Sequence, residues 1–391
     1  MQHPKDATEF MIAVHKIREQ GFEDIWVDFE SNTPFFPNAA VPISSAIQHY
    51  QEKRISIKFD FSNVPSLGRA HLDSPIEATD ENLQKINDAF SVIWKFNKDQ
   101  VGKLVNRYVE ILQGKATCEE GVLLAFEWCI NETLDNVLVH SGKPYGLVMV
   151  QLHAASNHLA VCVSDNGIGI YNSLKNTKHK PCTSVDAITM AIKERVTRDD
   201  SIGQGNGLWG LKEITSLNSG RLSITSGSGL ILVKGKEIHS FNRLIFLSEK
   251  DQGTTVDFQI DLDKPINLPQ ALGGHQPVNL RMEAIATDQG ECKIDISKVS
   301  KGTGTRPAAE TMRNRVLNLL NEGASRVILD FSQVPIVTSS YADELIGKMI
   351  VILGFYQFQD RISLKGMNET MQTVVHRSVA LRLAQSVNVP Q

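Results

Sequence analysis

Little at the start of this sequence suggests export. Met1-Gln2-His3-Pro4-Lys5-Asp6 lacks the apolar core of a signal peptide. No apolar run is long enough to span a bilayer, and the strongest, Met349 to Phe355, is far too short. Cysteines are few: Cys118, Cys129, Cys162, Cys182 and Cys292. No two of them stand in Cys-x-x-Cys spacing, which removes the commonest zinc and redox motifs. Buried, reduced thiols in a cytoplasmic protein are the expectation. Excess charge is lacking as well. A formal net charge of −4 gives no whole-chain attraction to nucleic acid or to an anionic membrane.

What remains is the composition of an ordinary globular chain, with 41% hydrophobic and 21% charged residues over 391 positions. That length suggests two or three domains. Three regions separate by pattern. In the first, to about Asp80, a helical stretch (Thr8 to Gln20) leads to a strand, Ile25 to Phe29. A helix over Ala40 to Lys53 and an alternating strand, Ile55 to Phe61, follow. The last region repeats the plan with a strand at Arg326 to Phe331, a helix at Tyr341 to Val351 and a strand at Arg361 to Leu364. The echo extends to wording: Val27-Asp28-Phe29 against Leu329-Asp330-Phe331, and Arg54-Ile55-Ser56-Ile57 against Arg361-Ile362-Ser363-Leu364. Between them, 82–263 forms a longer α/β region, closed by a Pro- and Gly-rich stretch, Pro265 to Pro277, that reads as a linker. The expected division is 1–80, 82–263, a linker at 264–278, and 279–391. The expected class is α/β, built as α+β two-layer sandwiches.

Three pieces of the central region carry chemistry. Periodicity predicts one helix over Thr117 to His140, with Leu123, Phe126, Ile130, Leu134 and Val137 as its buried stripe. Glu132, Asn136 and His140 recur at four-residue steps and share another face. Such a face is most often simply solvated. A carboxylate and an amide oxygen one turn apart also suit a base and a hard-cation ligand. Two strands later comes Asp165-Asn166-Gly167-Ile168-Gly169, either an ordinary turn or an acceptor beside a close-approach loop. Then Gly203-Gln204-Gly205-Asn206-Gly207-Leu208-Trp209-Gly210 leads into a helix, where backbone N–H groups can cradle phosphate. A dinucleotide-binding reading fails because the polar run Thr197 to Ser201, not a strand, precedes the glycines. A protein-kinase reading fails for want of His-Arg-Asp and Asp-Phe-Gly elements.

In this order, the pieces resemble the gyrase/histidine-kinase/MutL (GHKL) ATPase superfamily. Glu132-x-x-x-Asn136-x-x-x-His140 is similar to its N box, Asp165-x-Gly167-x-Gly169 to its first glycine box, Gly203 to Gly210 to its second, and Gly253-Thr254-Thr255 to its closing Gly-Thr element. The resemblance implies a Bergerat-fold domain that binds ATP with Mg²⁺. It implies Asn136 as the Mg²⁺ ligand, Glu132 as general base and Asp165 as acceptor for the adenine amino group. Gly167 and Gly169 would admit base and ribose, Gly203, Gly205 and Gly207 would fold over the phosphates, and Thr254 or Thr255 would support the adenine side. Tyr171 to Ser201 would be the ATP lid. It holds Lys175, Lys178, Lys180, Arg195 and Arg198, with Arg198 the favoured phosphate contact. No His stands between Leu83 and Ile130, so the phosphoacceptor helix of sensor histidine kinases has no counterpart there.

The C-terminal region resembles STAS-like domains of unknown function through Gly302 to Arg306, Leu329-Asp330-Phe331 and Thr338 to Leu345. The N-terminal region is similar in a shorter, degenerate form. In STAS anti-anti-sigma proteins, a Ser at a helix start accepts phosphate from a GHKL kinase. Ser340 or Ser339 occupies the matching place, and either could instead only cap the helix. Three functions follow as expectations: an ATP-dependent signalling switch with a protein partner, a serine/threonine kinase acting on a STAS serine, and a non-catalytic nucleotide-sensing scaffold. The sequence leaves a homodimer open and offers no evidence for a nucleic-acid partner.

Overall fold

A computed structural model describes residues 4–29, 34–196, 206–242, 252–277, 279–287 and 289–387. The chain divides into two compact units, one from Met1–Val109 and Ala125–His275, the other from Glu110–Leu124 and Gln276–Gln391.

In the first unit, β1 (Asp24–Asp28) and β2 (Ser56–Asp60) pair in parallel. Eight further strands make one twisted sheet: β3 (Ile76–Glu77), β4 (Trp94–Phe96), β5 (Gly146–His153), β6 (His158–Asp165), β7 (Arg221–Ser226), β8 (Gly229–Lys234), β9 (Glu237–Asn242) and β10 (Thr254–Asp261). Their order is β3-β4-β5-β6-β10-β7-β8-β9, antiparallel except between β3 and β4. Strand alternation gives the sheet two faces. The front row Val148, Val163, Val256 and Ile224 is aligned by cross-strand register and buried. The helix Val122–His140, here the motif helix, presents Leu134 and Val137 to this core.

The back face is covered too. Leu147, Met149 and Cys162 pack against Ala40, Val41, Ile43 and Ile47 of the helix Pro37–Glu52. Residues read from sequence as a flanking region therefore belong to the same compact unit as the central sheet. The stretch read as a linker is also structured in part. Leu268–Ala271 is a short helix capped by Asn267, whose side chain accepts from the Gln270 N–H.

The second unit holds a parallel sheet in the order β11 (Glu291–Asp295), β12 (Arg326–Asp330), β13 (Ile362–Lys365). The helix Arg306–Asn321 packs Met312, Val316 and Leu319 into its core. The helix expected over Tyr341 to Val351 runs from Ser339 to Leu353, widened by a π turn at Asp343–Gly347. That turn carries Glu344 inward, where it pairs with Arg313 and, at 2.9 Å, with Lys348.

The motif helix starts at Val122, five residues later than its periodicity predicts. Two features hold the preceding segment out of the helix. Gly121 takes φ +74°, a conformation glycine adopts without steric cost. Asn318 then claims the backbone upstream: its Oδ1 accepts from the Cys118 N–H at 2.7 Å, and its Nδ2 donates to Ala116 O at 2.8 Å and Gln113 O at 3.1 Å. Asn314 and Asn321 add bonds to Gly114 O and Cys118 O. Asn318 is 1% exposed, so water cannot replace these bonds. Asn318→Asp keeps the acceptor and faces two carbonyls with oxygen. It should cost on the order of 2–4 kcal/mol in urea unfolding, and an unchanged midpoint would refute this role.

Candidate functional site

The site is built upward from the motif helix. Its stripe residues Leu123, Phe126, Ile130, Leu134 and Val137 are all buried. Glu132, Asn136 and His140 stand on another face and line a single cavity of about 580 Å³. That volume falls within the range of small-molecule sites, roughly 300–1,000 Å³. Burial, reinforced by the nearby Asp135 carboxylate, pushes the Glu132 carboxyl above its usual range. The Asn136 amide Nδ2 is buried and has no hydrogen-bond partner. A buried polar group left unpaired is costly, and the side chain is therefore suited to an incoming ligand.

The helix Gly207–Leu217 closes over this face. A Cβ on Gly207 would lie 2.6 Å from Glu132 Oε2 and 3.0 Å from Asn136 Nδ2. A side chain there would have to push the ends of Glu132 and Asn136 aside. One turn later, a Cβ on Gly210 would meet Trp128 at 2.4 Å.

The other end of the cavity is set by the end of β6. Asp165 is buried, and its Oδ1 accepts from the Gly167 N–H at 2.8 Å. Burial pushes its carboxyl up to about 7, against the lowering pull of the Gly167 and Thr254 backbone bonds. The Gly167 turn is locked at both edges: Ser141 O accepts from the Ile168 N–H at 2.9 Å, and Gly167 O accepts from the Gly253 N–H at 2.8 Å. A Cβ on Gly167 would sit 2.2 Å from Ser141 O. Ser226, which the sequence reading missed, ties the two glycine elements together. Its Oγ accepts from the Ile170 N–H at 2.8 Å, donates to Gly253 O at 3.0 Å and lies 3.1 Å from Thr254 Oγ1. A lone serine at a strand end gives no sequence signal.

The residues singled out from sequence divide as follows. Glu132, Asn136, His140, Asp165, Gly169, Gly207 and Thr254 line the cavity together, while Gly167 lies in the locked turn beneath it. Arg198, Gly203 and Gly205 lie outside the described residues. In the expected lid, Gly169–Leu174 and Ser184–Ala191 are helical, the latter closed by a Thr183–Asp186 capping box. Ile170, Ser173, Leu174 and Ala191 face the cavity, whereas Lys175, Lys178, Lys180 and Arg195 are exposed and do not line it. Lining residues outside every quoted motif are Lys98, Trp128, Leu272 and His275, while Asp135 and Trp209 lie inside the motifs without having been singled out.

Residues 121–264 match the family model described as histidine kinase-, DNA gyrase B- and HSP90-like ATPase. This segment is a GHKL-type ATPase domain. Residues 308–372 match the model of a STAS-like domain of unknown function. Among solved structures, the ATPase domain of Thermus thermophilus gyrase B, in complex with an aminocoumarin, aligns at 17% identity with a TM-score of 0.22. The alignment covers 46% of this chain and 43% of that one, less than half of the gyrase chain. The topoisomerase IV ATP-binding domain of Francisella tularensis, bound to a small-molecule inhibitor, aligns at 17% identity with a TM-score of 0.23, covering 49% and 82%. No curated protein matches the chain.

A second acid with a carboxyl oxygen sealed from solvent lies in the GHKL-type unit. Asp257, on the back face of β10 beside Cys162, has its Oδ1 sealed from solvent without a partner, and burial pushes it up to about 7. Asp165 and Asp257 thus bind protons more tightly in the folded chain than in the unfolded one. Their contribution to stability is full below the unfolded carboxylate pKa and is lost as pH rises through about 7. The urea midpoint should fall between about pH 5 and pH 8, and Asp257→Asn should flatten part of that slope. An identical slope in the variant would exclude Asp257 as a source.

Proposed function

We propose that this protein is a regulatory ATPase that binds ATP with Mg²⁺ and acts as a signalling switch through its STAS-like unit and a protein partner. The observation that carries the reading is one cavity that gathers a half-buried base, an unpaired buried amide and a buried acid beside two close glycine approaches. The residues fit the metal: Asn136 would offer its side-chain oxygen to Mg²⁺, an ion that prefers oxygen ligands and keeps several waters. When bound, Mg²⁺ supplies neutralisation of phosphate charge. Asp165 would accept from the adenine amino group, and Thr254 would support it. Glu132, with its proton affinity raised by burial, would take a proton from water or from an acceptor hydroxyl. Five free cysteines fit a cytoplasmic setting. Among the described residues, no helix is long and apolar enough to cross a membrane.

A second reading, a kinase acting on a STAS serine, is favoured by one observation. Thr338, not Ser339 or Ser340, caps the helix, its Oγ1 accepting from the Tyr341 N–H at 3.2 Å. Both serines are exposed in the first turn with their hydroxyls not spent on the cap.

Incubation with γ-labelled ATP and Mg²⁺ separates the outcomes. Free phosphate supports the switch. Label on the chain that is lost in Ser340→Ala supports the kinase. ATP held without either product reduces the protein to a nucleotide sensor. Glu132→Ala should lower turnover by about 10²–10⁴-fold while sparing binding, and full turnover would remove Glu132 as base. Asn136→Ala should weaken Mg·ATP binding by about tenfold or more, roughly 1.4 kcal/mol per decade, and calorimetry that finds equal affinity would reject it as the metal ligand. ATP affinity should rise from about pH 6 to pH 8 as Asp165 ionises, a trend that Asp165→Asn should abolish together with the preference for ATP over GTP.

A further inference from the structure

The charges around the cavity do not balance for the ligand that the motifs suggest. Three carboxylates line it, from Glu132, Asp135 and Asp165. A triphosphate stays anionic even with one divalent cation, so a wall made only of acids would repel it. The lid offers no described remedy, because Lys175, Lys178, Lys180 and Arg195 do not line the cavity. Among the described residues that do, Lys98 is the one lysine or arginine.

Lys98 comes from outside every motif of the site. It follows β4 (Trp94–Phe96) and precedes the helix Val101–Lys115. Its side chain lines the same cavity as Asp135 and Asn136 of the motif helix. The side chain is exposed and makes no ion pair or hydrogen bond with a described residue. The amide of Asn136, buried and unpartnered on the same wall, independently marks that level as the place where a polar ligand enters.

We propose that Lys98 is a phosphate-binding residue that neutralises the nucleotide's phosphate chain beside Asn136. This rests on the nucleotide-binding reading and deepens it. An ammonium on a flexible stem acts as a point charge that can follow phosphate oxygens, and it requires no fixed fork geometry. The position explains how a cavity with three carboxylates can hold a polyanion. It also assigns part of the phosphate recognition to the turn after β4, outside the lid segment.

Calorimetry on the full chain with Mg²⁺ tests it, using ATP, ADP and adenosine as probes. Lys98→Ala should weaken ATP and ADP binding by about tenfold, the scale of one charge-assisted contact, and leave adenosine binding unchanged. Lys98→Arg should recover most of the loss. Because Lys98 is exposed, neither change should alter the unfolding midpoint, which serves as the control for folding. Unchanged ATP affinity in the alanine variant would overturn the proposal. So would an equal loss for adenosine, or an arginine variant as weak as the alanine one. Failure of the unaltered chain to bind any adenine nucleotide would instead remove the nucleotide reading itself, and this inference with it.

Discussion

The ATPase unit depends on how closely backbone can approach side chain at two points. At Gly167, a carbonyl of residue 141 occupies the space where any side chain would begin. At Gly207, the carboxylate and amide of the motif helix occupy it. Core packing of the motif-helix stripe positions Glu132 and Asn136, and the front row of the sheet supports the cavity floor. The two close approaches bring the start of the helix Gly207–Leu217 against the motif helix and the turn after Asp165 against Ser141. Backbone sterics at Gly167 leave no room for a side chain, whereas at Gly207 the neighbours are side-chain ends that can shift.

Much of this was legible in the residues, and the limits have physical causes. The amphipathic stripe placed the motif helix and the correct face for Glu132, Asn136 and His140, because a 3.6-residue period is local information. The strand-end position of Asp165 followed from alternation in β6 and the glycines after it. The helix start could not be read: the stripe continues plausibly upstream, and only Asn318, about 200 positions away, shows that the segment is claimed by other bonds. Ser226 was invisible because it bonds segments distant in sequence, and Lys98 and His275 because they reach the cavity only through tertiary placement. The stretch 264–278 looked like a linker because Pro and Gly punctuate loops, yet Leu272 and His275 line the cavity and a Cβ on Gly273 would touch Trp209 at 3.4 Å.

Burial explains the unusual acids as well. Asp165 and Asp257 stand on adjacent strands but on opposite faces of the sheet, one toward the cavity and the other toward the helix Pro37–Glu52. Each lacks a neighbouring cation strong enough to offset lost hydration. The first lines the cavity. The second has no chemical use evident in the structure and depends on the helix that covers the back of the sheet.

The asparagine row on the helix Arg306–Asn321 bears on how such a protein can be rebuilt. Asn314, Asn318 and Asn321 bond to main-chain groups of residues 113–118, which precede the ATPase motifs in the chain yet complete the C-terminal unit. The two units are thus interlaced along the sequence and are not strung end to end. Cutting at the edges of either family match would leave sealed carbonyls or amides with nothing to bond. Recombination that exchanges the C-terminal unit for a relative's would succeed only if the donor brings an equivalent row, which makes these three side chains a barrier to module shuffling.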